Sequence, residues 1–181
     1  MRSVVVTGGG TGIGRAVAAA FIKAGDEVVI TGRRSAPLAA TAMELGSAAR
    51  AVAFDACDPS QVERALADLP RRVDVLVNNA GGNTDIGAPE PASLAEVAAA
   101  WQANINANLL SAVLVTTGLR DRLAPGGAVI SVSSIAAHRG GAGSYSAAKD
   151  IAATVLFLAS PGASHITGQT IHVNGGALSR V

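Results

Sequence analysis

Short runs of β-branched residues alternate along this chain with alanine-rich stretches of helical length. The runs are continuously apolar rather than alternating, the pattern of strands buried on both faces of a parallel sheet. They predict strands at 3–7, 27–31, 51–55, 73–78, 128–133 and 170–173. The intervening segments predict helices over 13–24, 36–45, 60–69, 93–123 (in one piece or two) and 144–158. Turn signals punctuate the pattern: Gly25-Asp26 after the first helix, Pro125-Gly126-Gly127 after the long one and Pro161-Gly162 after the last. The alternation predicts an α/β fold, a doubly wound parallel sheet of about six strands between two helical layers. No shift in composition divides the chain, so residues 1–181 read as one domain.

Composition narrows the possible partners. With 14 basic and 13 acidic residues the formal net charge is +1, which gives no electrostatic footprint for nucleic acid or an anionic membrane. The apolar stretch from Ile151 to Ala159 is far short of the roughly 20 residues that cross a bilayer, and Val4-Val5-Val6 is too short for a signal-peptide core. One cysteine, Cys57, permits no intrachain disulfide and suits a cytoplasmic location. It reads as a small structural residue, and Trp101 as packing for the long helix. His138, His165 and His172 lack ligand spacing, so no metal is expected, and no GxSxG elbow suggests a hydrolase.

The first strand runs into Thr7-Gly8-Gly9-Gly10-Thr11-Gly12-Ile13-Gly14 and then a helix. Residues without side chains let a backbone approach a pyrophosphate, and a helix N-terminus presents unpaired N–H groups to it. A tight turn alone has the same composition. After the second strand, where an acidic residue would receive a ribose 2′-hydroxyl, stand Gly32-Arg33-Arg34. Two guanidinium groups and no carboxylate suit a 2′-phosphate, favouring NADP over NAD; a solvated turn is the plainer alternative.

Taken in order, these motifs resemble the short-chain dehydrogenase/reductase family, whose fold is a Rossmann-like doubly wound sheet. Gly8, Thr11, Gly12, Ile13 and Gly14 lie in a segment similar to the family's glycine motif. Asp55-Ala56 resembles its adenine-contacting pair, and Asn79, Ala80 and Gly81, after Asn78, its fourth-strand signature. Asn108 resembles the catalytic asparagine, Ser134 the catalytic serine, and Tyr145-Ser146-Ala147-Ala148-Lys149 the YxxxK pair. Residues four apart share a helix face, so the only tyrosine and Lys149 can serve one site. A cation about 4 Å from a phenol, at an effective dielectric of about 20, favours the phenolate by roughly 4 kcal/mol, or about three pKa units before desolvation opposes it.

The resemblance implies an NAD(P)-dependent oxidoreductase interconverting a ketone or aldehyde with an alcohol. Tyr145 would be the general acid/base, and Ser134 would hold the substrate oxygen. Lys149 would bind the nicotinamide ribose, and Asn108 would support a water-linked relay. A homodimer or homotetramer is implied as well. The motifs break off after Lys149, because Asp150 onward resembles the family's last helix and strand with the intervening substrate-side segment absent. That leaves a second expectation open, a catalytically impaired NADP-binding regulatory or scaffold protein. If the chain is continuous at 149/150, residues 144–159 form one fused helix and the last strand joins the fifth.

Overall fold

The computed structural model describes residues 1–84, 87, 89–134 and 148–173. Strands β1 (Ser3–Thr7), β2 (Glu27–Gly32), β3 (Ala49–Ala53), β4 (Val73–Asn78) and β5 (Leu123–Ser131) form one sheet in the order β3-β2-β1-β4-β5. Every pairing is parallel, and the registers Thr7↔Thr31 and Asn78↔Ser131 bring the strand ends to one edge. The helices are α1 (Gly12–Lys23), α2 (Ser35–Leu45), α3 (Pro59–Ala65), α4 (Leu94–Ile105), α5 (Ser111–Leu119) and α6 (Ala148–Leu158).

Period-two geometry divides each buried strand between two cores. Val4, Val6, Val28, Ile30, Val75 and Val77 pack with Val17, Ala18 and Phe21 of α1, Leu38 of α2, and Ala152 and Val155 of α6. On the other face Val5, Val29 and Leu76 meet Val62 and Ala65 of α3 and Val115 and Leu119 of α5. Both faces of the central strands are covered, as their continuous apolar sequences require.

Several expectations need correction. The sheet has five strands, and residues 170–173 are not in a strand, so the expected sixth strand is absent among the described residues. α6 runs unbroken across Lys149-Asp150, and Ala152 and Val155 form its buried face; residues 144–147 of the expected fused helix lie outside the described residues. β3 begins two residues early because Ala49 already pairs with Val28, and ends early because Asp55 turns its N–H to Gln61 Oε1 at 3.0 Å. Pro125-Gly126-Gly127 interrupts a ladder instead of ending a helix. Val73 pairs with Leu123 and Val75 with Ala128, leaving the turn bulged, with Gly126 at φ 73°. Trp101 is 69% exposed, and no residue of α4 is buried.

The amino edge is held by Arg2. Its guanidinium pairs with both oxygens of Asp26, donates to the Ala159 carbonyl at the end of α6, and lies 5.4 Å from the Phe21 ring centroid. Asp26 is 5% exposed, so removing Arg2 strands a buried carboxylate. Arg2 itself is partly in water, so about 2 kcal/mol is expected, less than for a fully buried pair. Arg2→Ala should lower the melting midpoint by roughly 4–8 °C, as measured by thermal denaturation.

Pro59 opens α3 behind its N-cap Asp58, whose carboxylate receives Ser60 Oγ, Gln61 Nε2 and the backbone N–H groups of both residues. Ser60 foremost, then Gln61, hold the Asp58 pKa down at about 2. A depressed carboxylate stabilises the fold fully above its unfolded pKa of about 4 and loses that contribution as pH falls toward its folded value. Asp58→Asn keeps a capping oxygen without the titration, so its stability should fall less steeply than wild type between pH 4 and about 2 in denaturant titrations at each pH.

Candidate active site at the carboxyl edge of the sheet

The connections diverge at the carboxyl ends of β1 and β4, where α1 lies on one face and α3 and α5 on the other. That divergence opens the crevice in which doubly wound sheets receive ligands. Gly8 and Gly12 adopt φ 65° and 54°, values that L side chains resist. The glycines differ in what surrounds them. A Cβ on Gly14 would stand 2.3 Å from the Gly8 carbonyl oxygen, whereas one on Gly12 would meet none of the described residues within 4 Å. Gly14 lets the helix close onto its own loop, and Gly12 is uncrowded by the described residues. Thr11 at the N-cap makes no side-chain cap and the first turn of α1 has no acidic residue, so neither offsets the positive end of the helix.

One hydroxyl joins this loop to β4. Thr7 Oγ1 accepts the N–H groups of Asn79 and Ala80, both at 2.9 Å, and donates to the Val77 carbonyl at 3.4 Å. Asn79 Nδ2 returns to the carbonyls of Thr7 and Gly8 at 3.0 and 3.3 Å. Next to it, Asn78 Nδ2 donates to Thr116 Oγ1 of α5 at 2.8 Å, fixing the end of β4 on the other helical layer.

Beyond β2, Arg33 and Arg34 are exposed and enter no ion pair among the described residues. Asp55 follows β3, with its carboxylate receiving the Cys57 N–H at 2.9 Å, and Ala56 is buried. Burial raises the Cys57 thiol pKa, Asp55 adds to the rise and Arg33 opposes it. The protonated thiol donates to the Asn106 carbonyl at 3.1 Å.

Asn108 occupies a π-turn, Asn106–Leu110, between α4 and α5. Such one-turn bulges recur at functional sites. Ser111 Oγ satisfies the Ala107 carbonyl at 2.8 Å within this widened turn. Asn108 reaches across to the segment after β4, accepting the Gly82 N–H at 2.8 Å and donating to the Gly82 carbonyl at 2.9 Å. A Cβ on Gly81 would lie 2.5 Å from Asn108 Oδ1, so the contact requires glycine.

The glycine loop, Asn79–Gly81 and Asn108 are therefore in one connected network. Ser134 is exposed, three residues past the Asn78↔Ser131 pair. Lys149 is exposed in the first turn of α6, whose buried side packs with α1 on the sheet face opposite α5. Tyr145 lies outside the described residues. Sequence reasoning missed Thr7, legible only as the threonine preceding the glycines, and Asn104, legible only as one turn before Asn108 on the same helix face.

Among the described residues no helix is long and apolar enough to span a membrane. A family model described as short chain dehydrogenase matches residues 2–178. The chain is 32% identical to an oxidoreductase of Mycobacterium tuberculosis strain H37Rv over 220 aligned positions, covering 97% of this chain and 98% of that one. Because the alignment is longer than the 181 residues here, that relative carries internal residues without a counterpart in this chain. A serine 3-dehydrogenase of Agrobacterium fabrum is 38% identical over 140 residues, 75% of this chain and 55% of that one. A solved short-chain dehydrogenase/reductase from Brucella melitensis, titled a glucose/ribitol dehydrogenase, superposes with TM-score 0.84 at 25% identity, covering 97% of this chain and 95% of that one. With its glycine loop, fourth-strand signature and parallel sheet in family order, the chain belongs to the short-chain dehydrogenase/reductase family of oxidoreductases.

Proposed function

We propose that this chain binds NADP and interconverts a ketone or aldehyde with an alcohol, acting in the cytoplasm on a small molecule. The observation that carries the cofactor choice is the pair of exposed guanidinium groups beyond β2, Arg33 and Arg34, with no carboxylate in that turn. The residues fit the cofactor: Gly12 leaves open space at the uncapped start of α1, and Gly8 and Gly14 shape the turn for a pyrophosphate. Arg33 and Arg34 receive the 2′-phosphate, Asp55 and Ala56 flank the adenine, and Asn79, Ala80 and Gly81 line the passage to the reactive end.

When bound, the nicotinamide supplies or accepts the hydride. Tyr145 gives its phenolic proton to the substrate oxygen in reduction and takes it back in oxidation, with Lys149 favouring the phenolate electrostatically. Ser134 hydrogen-bonds the same oxygen. Asn108 commits its side chain to Gly82, so it serves any water relay through the backbone of its π-turn. The reading includes a homodimer or homotetramer. Trp101, Ile105, Leu109 and Val113 support it, forming an exposed apolar stripe that continues from α4 through the π-turn into α5.

A specific observation favours a second reading, an NADP-binding protein without turnover. α6 carries Lys149 on the α1 side of the sheet, and the M. tuberculosis relative has internal residues that this chain lacks. Tyr145→Phe separates the two readings. Enzymatic turnover should fall by at least about a thousandfold with NADPH binding retained, in an assay of NADPH oxidation over a panel of carbonyls. A wild-type protein that binds NADPH but reduces none of them supports the second reading.

The cofactor choice is tested by Arg33→Ala/Arg34→Ala. Losing charge-assisted hydrogen bonds to a phosphate should weaken NADPH binding about 10- to 100-fold and leave NADH binding unchanged, as read by fluorescence titration. Equal wild-type affinity for the two cofactors would contradict the assignment.

A further inference from the structure

Past β4 the chain has no strand or helix to hold it. Gly81 and Gly82 sit at φ 150° and 149°, a region closed to side chains, and the segment continues through Asn83 to Thr84. Side chains of α4 and the π-turn bond to it. Asn108 clasps Gly82 at both its N–H and its carbonyl, as a strand partner would. A carboxamide can make that clasp in only one of its two flips, since oxygen must face the N–H and nitrogen the carbonyl. Asn104 selects the flip. Its side-chain and backbone oxygens lie 2.9 and 3.0 Å from Asn108 Nδ2, sharing the proton not used by Gly82, and would face an oxygen if the amide turned over. Its own Nδ2 donates to Thr84 Oγ1 at 2.9 Å, so one half-buried side chain reaches both the clasp and the far end of the segment.

We propose that Asn104 is a positioning residue that locks the 81–84 segment through Asn108 and Thr84, and thereby sets the nicotinamide end of the nucleotide site. The proposal rests on the NADP reading for its effect on ligands and on the hydrogen-bond network alone for its effect on the segment. It assigns the two halves of the cofactor to separate parts of the chain. The adenine half depends on residues around α1, β2 and β3, whereas the nicotinamide half depends on a segment that Asn104 holds.

The test uses Asn104→Ala and Asn104→Asp in the full chain, with thermal denaturation to confirm folding. In Asn104→Ala the Gly82 amide should exchange with solvent about tenfold faster, since one net hydrogen bond's worth of protection is lost. Asn104→Asp keeps an acceptor for Asn108 Nδ2 and can receive the Thr84 hydroxyl proton, so it should restore most of that protection. NADPH affinity should fall about tenfold in Asn104→Ala, while 2′,5′-ADP, which lacks the nicotinamide half, binds as in wild type. Unchanged Gly82 exchange, or equal weakening of both ligands, overturns the proposal. A wild-type protein that binds neither ligand overturns the NADP reading instead, and Gly82 exchange still decides whether Asn104 holds the segment.

Discussion

The site depends on the hydroxyl of Thr7. A threonine hydroxyl has one proton to give and two lone pairs, and all three are used between the ends of β1 and β4. Thr7 is 2% exposed, so each of those bonds forms away from competing water. The joint has a geometric consequence for the loop that follows. By holding Asn79 against Gly8, it brings the Asn79 amide within 2.6 Å of where a Gly14 Cβ would stand. The absence of a side chain at position 14 is thus required by the β1–β4 joint as well as by the turn. Gly12, by contrast, is crowded by none of the described residues.

That division explains which parts of the site were legible in the sequence. Strand ends and glycine turns follow from neighbours in the chain, so Gly8 to Gly14, Arg33-Arg34, Asp55-Ala56 and Asn79 to Gly81 could be placed along one edge from pattern alone. The π-turn could not. Nothing in Asn106 to Leu110 breaks a helix by propensity, and the widened turn is tied by Ser111 Oγ and by a thiol 49 positions away. Asn104 was passed over because its contact with Thr84 lies 20 positions away, across a loop. The exposure of Trp101 was missed for the related reason that apolar spacing tells which residues share a face and is silent on whether anything covers it.

The last helix shows how packing outranks motif. Its sequence offers Ile151, Ala152 and Val155 as an apolar face, and the available partner is the face of α1 formed by Val17, Ala18 and Phe21. Arg2, at the amino edge of β1, donates to the carbonyl of Ala159 just past the end of α6, so α6 descends from the carboxyl edge to the amino edge. Eleven helical residues cover about 16 Å, close to the length of a five-residue strand, and the helix therefore spans the sheet once. Lys149 is consequently held at the edge where the nucleotide loop lies, but in the α1 layer.

The two halves of the chemistry therefore rest on different kinds of support. The nucleotide end is built from β1, β2, β4 and the turns after them, each tied to its neighbour by ladder bonds or by the Thr7 and Asn79 contacts. The proposed chemistry pairs Asn108, between α4 and α5, with Lys149, in the layer of α1, and the sheet lies between those layers. Only residues beyond the carboxyl edge can join them, since the interior is filled by the valines of β1 and β4. Ser134 follows β5 at that edge, and the 81–84 segment lies over it, held by Asn108 and Asn104. On the proposed function, a proton passing from one layer to the other crosses this edge, where Asn108 holds Gly82 at both its N–H and its carbonyl.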